Sequence, residues 1–285
     1  MAFLFNIIYI VSSIIKSNLI RTLKIKAMNP IAIVSAMHDE LSQLLALMPD
    51  EHKQTRAGRE FWAGHLYGHE VVFVLSGIGK VAAATTAALL IEHFNVSKIV
   101  FTGVAGGLKS NVNVGDLVVA DSFLQHDLDV SPLFPKYQVP SYGVDTFQAD
   151  ESLAHELRRA CVAVLNDLTS LLTPQTRAAF NLANPQLHQG LLISGDRFVS
   201  TSAESQKLQQ DLPQALAVEM ESAAFAQVCH DYGVAFAAVR TISDRADDGA
   251  TVDFNRFLSE VASLYSAAIV DKWLKNKKNL IKTAI

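Results

Sequence analysis

From Pro30 onward, short apolar runs bounded by glycines or acids alternate with helical stretches, and that alternation leaves few folds open. Ile31-Ala32-Ile33-Val34-Ser35-Ala36 has the unbroken apolar character of a strand buried on both faces. Residues 61–67 and 70–75 flank Gly68-His69, which reads as a hairpin connection. Ser76-Gly77-Ile78-Gly79-Lys80 leads into an alanine-rich helix over 81–94, and the strand 98–102 ends in Gly103-Val104-Ala105-Gly106-Gly107. Further strands are expected over 115–121, 190–199 and 235–241, and helices over 151–166, 203–212, 221–232 and 254–274. Residues 170–188 contain Pro174 and Pro185, lack a clean period and read as a surface insertion. Strands interleaved with helices predict one α/β domain, a mixed and mostly parallel twisted sheet flanked by helices.

The bulk properties agree with an enzyme of small molecules. A chain of 285 residues, half of them hydrophobic, suits a single large domain. Its net charge of -4 gives no basic footprint for nucleic acid. Cys161 and Cys229 stand far apart, without CxxC or Cys/His spacing, and read as inert buried thiols of a reducing compartment, which points to the cytoplasm. Residues 1–27 differ from the rest. An apolar run comes first and Lys16, Arg21, Lys24 and Lys26 follow, the reverse of a secretory signal and too short to span a bilayer. Met28 therefore reads as the start of the domain, 28–285, with 1–27 an upstream extension and a short membrane anchor as the rival reading.

Acids placed where apolar strands run out carry the chemistry. Ala217-Val218-Glu219-Met220-Glu221 puts two carboxylates at one strand end, and Val239-Arg240-Thr241-Ile242-Ser243-Asp244 puts a third at another. A buried carboxylate is costly unless something binds it. Each acid also has a bland reading: Glu219 and Glu221 as charge at a helix start, Asp244 as a turn cap. Met37-His38-Asp39-Glu40 closes the first strand, where His38 and Asp39 read as a helix start. Ser76–Lys80 lacks the spacing of a phosphate-binding P-loop and reads as a tight strand-to-helix turn. No HExxH or similar spacing occurs among the nine histidines, so neither a metal nor a cofactor is expected. Three strand ends delivering acids and two delivering glycines describe a ligand crevice.

Together, Ile33–Glu40, Ser76–Ala83, Thr102–Leu108, Val114-Gly115-Asp116, Ser194–Phe198, Ala217–Glu221 and Val239–Asp244 resemble the 5′-methylthioadenosine/S-adenosylhomocysteine nucleosidases. The resemblance runs from Pro30 to about Lys275. It implies a nucleoside phosphorylase-like fold with a partly closed sheet, a homodimer, and hydrolysis of an N-glycosidic bond in methionine salvage and nucleoside catabolism. It assigns Asp244 as the general acid to the departing purine, with Ser243 orienting it, and Glu40 as activator of the water, helped by Arg240. Glu221 then holds the ribose hydroxyls above Met220, Phe198 stacks on the purine, and the Val199 backbone meets its edge. Glu219, Ala105 and Gly106 line the same site, and Val130, with Leu133 or Phe134, completes the 5′-pocket of the partner subunit.

Asp39 and Glu40 would repel phosphate in the loop where related phosphorylases place an Arg, so water is the expected nucleophile. Val104 departs from the pattern by standing where a Ser helps hold that water, a loss of about 1 kcal/mol of support. The departure leaves a futalosine-type nucleosidase, a purine nucleoside phosphorylase and a non-catalytic nucleoside-binding homologue as alternatives.

Overall fold

The computed structural model describes residues 29–35, 38–247 and 254–283, and for Asp39, Glu40 and 278–283 the backbone alone. The expected N-terminal extension, 1–27, lies outside the described residues. Among these, no helix is long and apolar enough to cross a membrane.

The apolar runs become strands because each can bury both faces. In β1 (Ile31–Ser35), Ile31 and Ile33 pack with one helical layer while Ala32 and Val34 pack with the other, the period of two that a sheet core demands. The first layer contains α1 (His38–Leu45), α3 (Glu151–Leu165) and α9 (Ser263–Thr283). The second contains α2 (Lys80–Phe94) and α7 (Ser222–Tyr232).

Two parallel blocks make up the centre of the sheet. In one, β1 lies between β4 (His69–Leu75) and β5 (Lys98–Gly107), and β5 continues to β10 (Ala235–Asp244). In the other, β8 (Leu187–Ser194) lies between β6 (Leu117–Gln125) and β9 (Ala215–Glu219). The blocks meet through antiparallel β10–β6 and β5–β9 pairings, so these five strands close into a ring. Outside the ring, β2 (His52–Arg56) and β3 (Arg59–Leu66) extend the open wing beyond β4, and β7 (Thr146–Gln148) pairs with β6. The hairpin expected at Gly68 is present, with Tyr67 and Gly68 both at positive φ.

Two expectations need correcting. The Gly103–Gly107 run does not end its strand: β5 continues through it, pairing Gly106 with both Val218 and Asp244. Glycine permits this because a Cβ on Gly106 would lie 2.9 Å from Asp244 Oδ1 and 2.8 Å from Ala246 Cβ. Nor is the segment around 170–188 only surface. It forms α4 (Leu168–Leu171) and α5 (Pro174–Ala179), buries Leu172 and Leu182 in the core, and begins β8. Alternating short helices and turns leave no period to read.

Candidate active site

The ring brings the ends of β5, β8, β9 and β10 to one cavity enclosing about 170 Å³. Val104, Ala105 and Gly106 line it from β5, Phe198 and Val199 from the segment after β8, Glu219, Met220 and Glu221 from the β9–α7 junction, and Ser243 and Asp244 from β10. Sequence reasoning did not single out Ile78, Arg197, Val218 and Phe254, which line it too. Ile78 was within reach, since it sits in the Ser76–Lys80 turn already read as approaching a ligand. Phe254 opens α8 (Phe254–Phe257) and meets the Phe198 ring edge-on at 6.2 Å, a contact between segments with no shared pattern.

Asp244 is almost fully buried. Its Oδ2 accepts from the Ser243 hydroxyl at 2.7 Å and its Oδ1 from the Ala246 amide at 2.7 Å. Burial raises its pKa against those two hydrogen bonds, which favours a carboxyl that keeps its proton. The turn-cap reading is thus part of the truth, since the Ala246 bond is an Asx-type contact.

Glu219 and Glu221 divide their work. The Glu219 carboxylate accepts from the amides of Glu221, at 3.2 Å, and Ser222, at 3.0 Å, capping the start of α7. It also accepts from the Ser194 and Ser222 hydroxyls and from Arg240 Nη2, the last at 2.5 Å. Glu221 Oε1 accepts only a backbone amide, that of Gly79 at 2.9 Å, and its side chain serves no cap. One acid is structural glue and the other faces the cavity.

Arg240 departs from the role the resemblance implied. It is 1% exposed, is not among the residues lining the cavity, and lies over the Phe101 ring at 4.0 Å. Its Nη2 bonds Glu219 and the Ser222 oxygen, while Nε and Nη1 find no hydrogen-bond partner among the described residues. The Glu40 side chain lies outside the described residues. The backbone shows only that α1 begins at His38 just past the end of β1. Val130 does not line this cavity, and Leu133 and Phe134 are exposed at 80% and 41%. Among the described residues, no group of three or more His, Cys, Asp or Glu is placed to hold a metal ion.

The sequence pattern of the phosphorylase superfamily matches residues 30–275. The chain belongs to that superfamily. Its fold is similar to the 5′-methylthioadenosine/S-adenosylhomocysteine nucleosidase of Neisseria meningitidis, solved with methylthio-immucillin-A, at 33% identity and a TM-score of 0.75 over 87% of this chain and 99% of that one. It is similar to the S-adenosylhomocysteine nucleosidase of Streptococcus pyogenes at 32% identity and a TM-score of 0.74, covering 89% and 98%. The futalosine hydrolase of Helicobacter pylori matches at 31% and 0.74, covering 87% and 98%.

In this superfamily member the buried acids also set a pH dependence. Burial first, and the adjacent Glu219 charge second, push Glu221 up to about 7. The native carboxyl therefore holds its proton more tightly than the unfolded one, whose reference value is 4.5. The stabilising contribution is complete below that reference and is lost as pH rises through about 7. Relative to the unaltered protein, a Glu221→Gln variant is expected to gain in melting temperature between pH 5 and 8. A gap that stays flat across a series of thermal melts contradicts the assignment.

Proposed function

We propose that the chain is a nucleosidase that hydrolyses the N-glycosidic bond of 5′-methylthioadenosine, S-adenosylhomocysteine or similar 5′-substituted adenosines and releases adenine. The observation that carries the reading is the meeting of a buried Asp244, Glu221 and the half-exposed Phe198 ring around one cavity. Breaking this bond builds positive charge on the ribose and negative charge on the purine, so an acid on the base side and a carboxylate on the sugar side divide the work.

Asp244 gives its proton to N7 of the leaving purine, with the Ser243 hydroxyl fixing the other oxygen. Phe198 stacks on the base, the Val199 backbone meets its edge, and Gly106 leaves room for Asp244 to approach. Glu221 accepts the ribose hydroxyls, and Met220 packs beneath the sugar. Glu40 takes the proton of the attacking water. Arg240 supports this set through Glu219 rather than by touching the reacting atoms.

Water is favoured over phosphate as nucleophile by the charges present. The one cation among the described lining residues is Arg197, which is paired with Glu204. A doubly charged phosphate needs more than that. With methylthioadenosine in phosphate-free buffer, the purified protein is expected to release adenine and free sugar. A requirement for phosphate makes it a phosphorylase, tight binding without turnover makes it a binder, and a strong preference for futalosine makes it a futalosine hydrolase.

The reading extends to a homodimer, in which Leu133 and Phe134 would find cover and, with Val130, complete the neighbour's 5′-pocket. Sedimentation at micromolar protein gives twice the chain mass if this holds and the chain mass if it does not. The free, buried Cys161 and Cys229, whose thiols burial pushes up, suit cytoplasmic methionine salvage, which cell fractionation checks.

A further inference from the structure

One latch joins three segments that the cavity depends on. Lys80 opens α2, and its Nζ lies 2.6 Å from Asp127 Oδ1 in the loop after β6. The other oxygen of Asp127 accepts from the Asp196 amide at 2.8 Å, just past β8. Asp196 closes the circuit, its Oδ1 accepting from the Lys80 amide at 2.7 Å. The residue between Ile78 and Lys80 is Gly79, whose amide is the backbone donor to Glu221 at 2.9 Å. Gly79 has φ +90°, and a Cβ there would meet Asp196 Oδ1 at 2.9 Å, so the latch and the Gly79–Glu221 bond both need this position bare.

We propose that Lys80 and Asp127 are positioning residues that aim the Glu221 carboxylate at the ribose hydroxyls, acting through Asp196 and the Gly79 amide. The pair is mostly shielded, with side-chain exposures of 18% and 31%, unlike the surface ion pairs whose contribution is small. Burial opposes ionisation of Asp127, yet the Lys80 ammonium and the Asp196 amide outweigh it and hold the carboxyl below its usual range. The same latch sets the residue two before Phe198 and the residue three before Val130. It therefore ties the sugar side of the cavity to the base side and to the loop expected to serve the neighbouring subunit. Without it the turn keeps its sequence but loses the two bonds that fix its height over Glu221.

The inference rests on the nucleosidase reading, and its test separates the two. The readout is the ratio of kcat/KM for methylthioadenosine to that for its 2′-deoxy counterpart, since a carboxylate aimed at hydroxyls rejects a substrate lacking one. Lys80→Met and the isosteric Asp127→Asn are each expected to lower that ratio by about tenfold, as for coupled neighbours. The double variant falls no further than the worse single one, and Lys80→Arg retains most of the preference. A ratio equal to that of the unaltered enzyme, or single losses that multiply in the double variant, overturns the latch while leaving the activity standing. Equal losses on both substrates with a lowered melting temperature mark the pair as merely structural and overturn it too. No adenine from the unaltered enzyme sinks the nucleosidase reading, and the latch's role with it.

Discussion

Replacing Asp244 with Asn is expected to lower kcat for adenine release by roughly 10²- to 10⁴-fold, the range that general-acid catalysis contributes. The change keeps size and shape, and the amide oxygen still accepts from the Ala246 amide. What it removes is the proton that burial keeps on the carboxyl. Binding of a non-hydrolysable nucleoside analogue and the melting temperature should therefore stay close to those of the unaltered protein. Chromatographic assay of adenine, with thermal melts alongside, checks both halves. A variant with near-normal turnover removes Asp244 from the acid role.

The largest effect on stability is expected from Arg240→Met. The guanidinium is fully enclosed and holds a carboxylate that is itself 3% exposed in its side chain. Removing one partner of such a pair leaves the other buried and uncompensated, at about 3–5 kcal/mol. For a domain of this size that corresponds to a fall of roughly 6–20 °C in melting temperature. The orphaned charge also sits beside Glu221, so proton affinity there is expected to rise further. Changing Glu219 to Gln in the same chain removes the stranded charge and should recover part of the loss. If Arg240 instead acted mainly on the nucleophilic water, activity would collapse while the melting curve stayed in place.

How much of this was legible in the sequence depends on whether a feature is local. The buried strands around Ile33, Val72 and Val239 announce themselves as apolar runs, and the Gly68 hairpin follows from two positions tolerant of positive φ. The acids at the ends of β9 and β10 stand out against such runs, and they do line one cavity. The division between Glu219 and Glu221 was not legible, because two carboxylates two residues apart look alike until the start of α7 fixes which one caps it. Arg240 was misjudged for a similar reason. Its neighbour in sequence, Thr241, says nothing about a partner 21 residues earlier in the chain.

The glycine run of β5 hid a strand, since glycine carries no apolar pattern and its use here is close approach by Asp244. Phe254 was missed because its role comes from a ring contact with Phe198 and not from any spacing. Residues 168–186 turned out to matter for packing. The Gln186 amide and His188 both donate to the buried Asp116 carboxylate, and Phe180 meets Phe257 edge-on at 5.3 Å. A segment with two prolines gives no hint of such anchoring.

A crystal structure of the chain with a non-hydrolysable 5′-thioadenosine analogue tests the central claim most directly. The account predicts the base against Phe198 with its N7 side toward Asp244, and the sugar hydroxyls on Glu221. An analogue seated elsewhere, or one whose ribose lies beyond reach of Glu221 while its base turns N7 away from Asp244, contradicts it.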